Sequence, residues 1–252
     1  MIKISNLSAG YGDGNILNNI SLTIPEHKLS VIAGPNGSGK STLLKSIAGI
    51  IRHSGTVEVN GINLESLSLS DKAKRIAYLA QNRSVPEISV SSLVLHGRFP
   101  YLSYPRRYRN EDKIAVDESL EKMGIKSLKN KMVSNLSGGE RQKVYIAMAL
   151  CQGSDILLLD EPTTFLDISH QLELLEMATK LCKEGKTVVM VLHDLSHALE
   201  IAEHFVLMDK GHIIATSTPE EVYKSRLIDK VFNIEVIKEK DHWWCKKGSY
   251  AK

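Results

Sequence analysis

Apolar and polar positions along the chain fall into distinct textures. Ile2 to Leu7 alternates like a half-buried strand, and Ala9-Gly10-Tyr11-Gly12 is expected to break it and present Tyr11 on a turn. A second strand over Ser21 to Ile24 leads through Pro25 into the apolar run Leu29 to Ala33. Thr56 to Val59 followed by Asn60-Gly61 predicts a hairpin with a type I′ turn, so the early part should carry an antiparallel sheet. Arg75 to Ala80 reads as a short strand ending at Gln81. Ile156 to Leu159 and Val188 to Leu192 are unbroken apolar runs too short for helices, the pattern of strands buried on both faces of a parallel sheet. Ile168 to Leu181 has apolar residues at helical spacing and completes a β-α-β unit. Phe205 to Met208, the turn Asp209-Lys210-Gly211 and Ile213-Ile214 predict a closing hairpin. Between 84 and 135 the texture is helical with loops: Val90 to Leu95 and Asp112 to Met123 flank a stretch rich in Arg and Tyr. The tail beyond Arg226 reads as short and mixed, with Trp243 and Trp244 covering core surface.

A chain of 252 residues can bury about three quarters of its unfolded surface, enough for one large domain with an inserted part. The excess of 32 Lys+Arg over 29 Asp+Glu is too small to imply a nucleic-acid partner by itself. The longest apolar run, Val144 to Cys151, falls far short of the ~20 residues of a membrane span. The opening Met-Ile-Lys-Ile lacks a signal-peptide core, so a cytosolic location is expected. Cys151, Cys182 and Cys245 are odd in number and far apart, which argues for plain thiols over a disulfide framework or a metal site.

Gly34-Pro35-Asn36-Gly37-Ser38-Gly39-Lys40-Ser41-Thr42 satisfies G-x-x-x-x-G-K-[ST] between a strand and a helix, the context of a P-loop. Such a turn aims backbone N–H groups and a positive helix end at one point, where a phosphate chain can sit. The helix end stabilises an anion by only ~0.3–1 kcal/mol, up to ~2 when partly buried, so Lys40 must reach the β- and γ-phosphates and a metal must share the charge. Ser41 is placed to hold Mg²⁺. Three further strands end in polar residues: Gln81 after Ala80, Asp160-Glu161 after Leu159, His193 after Leu192. In a parallel sheet these carboxyl ends share one crevice. Asp160 suits the metal, Glu161 can polarise a water, Gln81 can hold either, and His193 can bond the γ-phosphate. Leu136-Ser137-Gly138-Gly139-Glu140 contains an S-x-x-E capping box opening a helix to Cys151. Capping does not explain Gly138-Gly139, each costing about 1 kcal/mol relative to Ala in a helix. Two small residues there point to a second phosphate site at backbone N–H groups.

With these motifs in order, the chain resembles the nucleotide-binding subunit of ABC transporters along nearly its whole length. The resemblance implies Walker A at Gly34 to Ser41, Q-loop at Gln81, signature motif at Leu136 to Glu140 and Walker B at Ile156 to Asp160. It also implies a catalytic Glu161, D-loop Asp167 contacting a partner copy, switch His193, and Tyr11 stacking on adenine. The implied fold is α/β: a P-loop NTPase core, a mixed sheet with parallel central strands, carrying an antiparallel β subdomain and an inserted helical subdomain. One domain over 1–252 is expected, with a core of 1–84 and 153–225, a helical part of 85–152 and a tail of 226–252. ATP and Mg²⁺ are the implied ligands, bound in a head-to-tail homodimer between one copy's P-loop and the other's signature. Thr164-Phe165-Leu166-Asp167 departs from the Ser-Ala-Leu-Asp of many members but keeps the aspartate.

Within the family, Thr163 to Gln171 and His96-Gly97-Arg98-Phe99-Pro100 look like subunits that energise uptake of iron-siderophore complexes, haem and vitamin B12. That implies integral membrane permease subunits, indirectly a substrate-binding protein, and a peripheral place on the cytoplasmic face of the membrane. Arg98, Arg106, Arg107 and Arg109 interleave with Phe99, Tyr101, Tyr104 and Tyr108, a composition fit for single-stranded nucleic acid or for a permease. The absence of a second P-loop or long coiled coil in the sequence favours the permease and no nucleic acid. A non-transport ABC ATPase of iron-sulfur cluster assembly or nucleic-acid work is the rival reading.

Overall fold

A computed structural model describes residues 1–12, 14–240 and 242–248. The chain opens with an antiparallel pair, β1 (Ile2–Tyr11) and β2 (Gly14–Ile24), before β3 (Leu29–Ala33) and helix α1 (Lys40–Ile47). Strands β4 (His53–Val59) and β5 (Ile62–Asn63) form the expected hairpin, with Val59 opposite Ile62 and positive φ at Asn60 and Gly61. Together they make a four-stranded sheet in the order β2-β1-β4-β5. Two expectations need correction here. β1 does not break at Ala9, because register shifts beyond Ile4 absorb the irregular pattern and pairing continues to Tyr11 opposite Gly14. β2 begins at Gly14 rather than Ser21; its asparagines face solvent while Leu17 and Ile20 are buried.

Helix α2 (Leu69–Arg75) leads into β6 (Ile76–Leu79), and the stretch after it carries α3 (Val90–Leu95), α4 (Asn110–Lys122) and α5 (Gly138–Cys151). Then follow β7 (Ile156–Asp160), α6 (Ile168–Lys183), β8 (Thr187–Val191), α7 (Leu195–Ile201), β9 (His204–Asp209) and β10 (His212–Ser217). The second sheet has the order β10-β9-β3-β8-β7-β6, parallel throughout except for the edge strand β10.

Side-chain alternation splits the unbroken apolar runs between two cores. Leu157, Leu159, Val188 and Met190 join one shared with α3 to α6, whereas Ile156, Leu158, Val189 and Val191 join another with α1 and the four-stranded sheet. Each of these side chains is buried, contributing roughly 1.5–3 kcal/mol of transfer free energy. The sheet is therefore fixed from both faces, and its carboxyl edge becomes a stiff platform.

The tail differs from the expectation of a mixed segment. After α8 (Pro219–Lys224) it folds as α9 (Leu227–Phe232) and a hairpin of β11 (Ile234–Glu239) with β12 (His242–Lys247). Buried Asp229 holds it, accepting from Val236 N at 3.1 Å and from Arg226 at 3.1 Å. Trp243 is buried against Tyr223, with ring centroids 5.0 Å apart, but Trp244 is exposed and covers no core. Positions 241 and 249–252 of the expected tail lie outside the described residues.

Arg98 also departs from its sequence grouping with the exposed aromatics. Its Nε donates to Asp112 Oδ1 at 2.9 Å, Nη1 donates to Cys151 O, and the guanidinium lies 3.8 Å from the Tyr101 ring centroid. Burial alone would raise the Asp112 carboxyl, but the Arg109 N–H and the Arg98 guanidinium outweigh it and hold it below the usual carboxylate range. Arg98→Ala removes the counter-charge of a buried carboxylate that keeps only the Arg109 N–H, and is expected to lower stability by about 3 kcal/mol at neutral pH. Because the folded-state value is depressed, this contribution is present above the unfolded carboxylate pKa and is lost as pH falls through the folded one. Urea melts of both proteins at neutral and acid pH measure it; an unchanged midpoint at neutral pH contradicts the strut.

Candidate nucleotide site

Four neighbouring strands, β3, β8, β7 and β6, deliver the P-loop, His193, Asp160-Glu161 and Gln81 to one edge in that spatial order. The expected convergence of strand ends is therefore what the sheet produces. Gly39 is the N-cap of α1 at φ 99°, with no side-chain cap, so first-turn N–H groups are left for a ligand. A Cβ on Gly39 would also stand 2.7 Å from Leu17 Cδ2. Asn36 and Gly37 are exposed, Pro35 half-buried, and Gly34, Ser38 and Thr42 buried. Asn36, Gly37, Gly39, Lys40, Ser41, Thr42 and Glu161 line one cavity.

Lys40 is buried, and its Nζ donates to Gly34 O (2.8 Å) and Pro35 O (2.9 Å). Burial of the ammonium pulls its pKa down, and the Glu161 and Asp160 carboxylates push it back up. Ser41 Oγ donates to Asp160 Oδ1 at 2.8 Å, and Tyr78 OH donates to Oδ2 at 2.9 Å. Burial and then the Asp160 charge raise the Tyr78 phenol, keeping it a donor. Glu161 is buried at φ 49°; its Oε1 lies 2.6 Å from His193 Nε2, and its Oε2 accepts from Gln81 Nε2 and from Thr164 Oγ1 (3.3 Å). Gln81 thus meets the Glu161 carboxylate. Sequence reasoning missed Tyr78 and Thr164: a tyrosine inside a strand reads as core, and only the β6–β7 register, Tyr78 opposite Leu158, brings it to Asp160.

Tyr11 ends β1 rather than sitting on a turn, half-exposed, with Lys45 Nζ 3.3 Å from its hydroxyl. Asp167 caps α6, accepting from His170 N at 2.9 Å and lying 2.7 Å from His170 Nδ1. Ser137 and Glu140 form the expected capping box, with Oγ accepting from Glu140 N (3.2 Å) and the carboxylate accepting from Ser137 N (2.8 Å). The two glycines divide. A Cβ on Gly138 would meet only Phe165 O at 3.9 Å, so its backbone is open to a ligand, whereas one on Gly139 would meet the His170 ring at 2.5 Å. Packing against the His170 ring leaves no room for a side chain at 139.

The ABC transporter family profile matches residues 17–164, from β2 past Glu161. The chain belongs to the ABC transporter family. This ABC ATPase is 41% identical over 93% of its length to the iron(3+)-hydroxamate import ATP-binding protein FhuC of Bacillus subtilis, covering 88% of that protein. It is 40% identical over 92% of its length to the ferric enterobactin transport ATP-binding protein FepC of Escherichia coli, covering 86% of it. A solved ATP-binding cassette, dimeric and bound to ADP and phosphate, superimposes with a TM-score of 0.75 at 28% identity, covering 87% of this chain and 99% of that one.

As an ABC ATPase the chain binds and hydrolyses ATP. Among the described residues, no cluster of three or more His, Cys, Asp or Glu side chains could hold a metal unaided. One hydroxyl and one carboxylate, Ser41 Oγ and Asp160 Oδ1 at 2.8 Å, fit Mg²⁺ instead, a hard cation that takes few protein oxygens and completes its shell with phosphate oxygens and water.

Proposed function

We propose that this ABC ATPase powers uptake of an iron chelate through a membrane permease, working as a head-to-tail homodimer on the cytoplasmic face of the membrane. The observation that carries the hydrolytic part is the pair of adjacent centres at the end of β7: Asp160 with Ser41, and, one residue on, Glu161 between His193 and Gln81. The names of FhuC and FepC support an iron chelate over haem or vitamin B12 as cargo. In this reading Lys40 leaves the Gly34 and Pro35 carbonyls for the β- and γ-phosphates, and Asn36 to Thr42 wrap the phosphate chain. Ser41 and Asp160 hold Mg²⁺, which when bound neutralises charge on the phosphate oxygens. Both Glu161 oxygens already have donors, so the attacking water takes the place of Gln81 or His193 and gives its proton to the carboxylate. His193 then bonds the γ-phosphate, and Tyr11, its ring half free, stacks on adenine.

The open backbone at Gly138 beside exposed Ser137 supports the dimer: in this reading the two meet the partner's ATP, with Asp167 contacting the partner. The solved dimeric cassette supports that arrangement. No helix among the described residues is long and apolar enough to cross a membrane, so in this reading permease subunits, fed by a substrate-binding protein, supply the path. The docking face is the region 85–108, where Phe99 and Tyr104 are exposed. Arg98 is turned inward to Asp112 and does not join that face as its sequence grouping suggested; Phe99, Arg106 and Arg107 are exposed and test it. Substituting those three should cut chelate uptake about tenfold or more while basal ATP hydrolysis stays within about twofold. Radiolabelled iron-chelate uptake and phosphate release measure the two. Unchanged uptake, or crosslinks from this face to nucleic acid or a soluble scaffold, would defeat the importer reading and leave the ATPase intact.

A further inference from the structure

Two places to which the hydrolytic site gives no role, Gly139 and the start of α6 at Ile168-Ser169-His170-Gln171, meet in space. His170 lies in the first turn of α6, where its N–H and its Nδ1 both address Asp167 Oδ1, at 2.9 and 2.7 Å. The opposite side of the same ring fills the space beside Gly139: a Cβ there would stand 2.5 Å from His170 Cδ2 and 2.7 Å from Nε2. Gln171 Nε2 donates to Leu166 O at 2.9 Å and folds the loop 163–167 back onto α6. Further along the helices, Lys143 and Glu173 are ion-paired at 2.6 Å, tying α5 to α6 a second time.

We propose that His170 is a positioning residue that keys the Gly139 end of α5 to Asp167, so that segment 137–140 and loop 163–167 move as one body. The proposal rests on the reading of these two segments as the parts that meet the partner copy. Histidine suits the task because one flat ring supplies both a packing face for a glycine and a nitrogen at fixed distance from a carboxylate. Phenylalanine would fill the space and leave Asp167 without its ring partner; asparagine would reach Asp167 and leave a gap against Gly139. Close-packed contacts transmit displacement instead of absorbing it, so a shift of α5 toward a bound phosphate carries Asp167 with it.

The test uses the full chain and reads ATP affinity, turnover and, in a Glu161→Gln background, ATP-dependent dimerisation by light scattering. His170→Ala should leave ATP affinity within about twofold, since the P-loop is untouched, and lower turnover about fivefold or more. His170→Asn, which keeps a nitrogen for Asp167, should recover part of that loss. Gly139→Ala should lower turnover about tenfold or more, and Gly139→Ala with His170→Ala should rise toward the His170→Ala level, at least about twofold faster than Gly139→Ala alone, because the clash is gone. Wild-type turnover in His170→Ala, or a double variant no faster than Gly139→Ala, overturns the proposal. A Glu161→Gln chain that stays monomeric at saturating ATP overturns the dimer reading and this proposal with it. Dimerisation with additive effects overturns this one alone.

Discussion

Lys40→Ala is expected to weaken ATP binding by at least about a hundredfold. Charge-assisted hydrogen bonds contribute roughly 1.5–3 kcal/mol each, and about 1.4 kcal/mol is a factor of ten in affinity. A buried ammonium reaching two phosphates therefore accounts for two decades or more. The first-turn N–H groups of α1 cannot substitute, since a helix end supplies at most ~2 kcal/mol. The fold should survive, because the ammonium's partners in the chain are two backbone carbonyls, Gly34 O and Pro35 O. Calorimetric titration with ATP measures the effect, and an unchanged affinity would mean that the phosphate chain is not held at residues 34–42.

Glu161→Gln is expected to leave ATP affinity near the wild-type value and to slow turnover about a hundred- to ten-thousandfold. The amide keeps the size of the side chain but cannot take a proton from water. The surroundings adapt to it: its new N–H₂ group faces either Gln81, whose amide can flip, or His193, whose ring nitrogen can accept. Lys40, Ser41 and Asp160, which bind ATP and Mg²⁺ in this reading, are left as they were. With hydrolysis stalled, the two copies should stay together at saturating ATP. Phosphate release and light scattering read both effects; wild-type turnover would move the base to another residue.

The sequence made the nucleotide site legible because each part of it follows a buried strand whose period-two pattern or unbroken apolar run is visible, and because the P-loop residues are contiguous. Parallel pairing then did the assembly, which is why Gln81 and His193, far apart in the chain, both reach Glu161. What stayed hidden depended on single contacts across the fold. Arg98 looks like its neighbours in composition, and nothing local shows that Asp112 and Cys151 O wait for it. The β11–β12 hairpin was illegible for another reason. Its strands bury only Val236 and Trp243, so most positions are charged or exposed and no alternation stands out. His170 and Gln171 lie within the stretch Thr163 to Gln171 that carries the subfamily resemblance, but their partners, Gly139 across the subdomains and Leu166 on the loop, cannot be read from it.

In the proposed dimer, the reciprocal cap between Ser137 and Glu140 sets how the second copy is met. Because the hydroxyl and the carboxylate already satisfy each other's backbone N–H groups, this segment is ordered before any phosphate arrives. Fixing one residue's backbone otherwise costs about 1–2 kcal/mol, so a disordered segment of four would oppose closure by several. Here that penalty was met when α5 folded. Closure on ATP is then a problem of where a rigid helix end is carried, and its strength is open to adjustment from any surface that can tilt α5, including one far from the nucleotide.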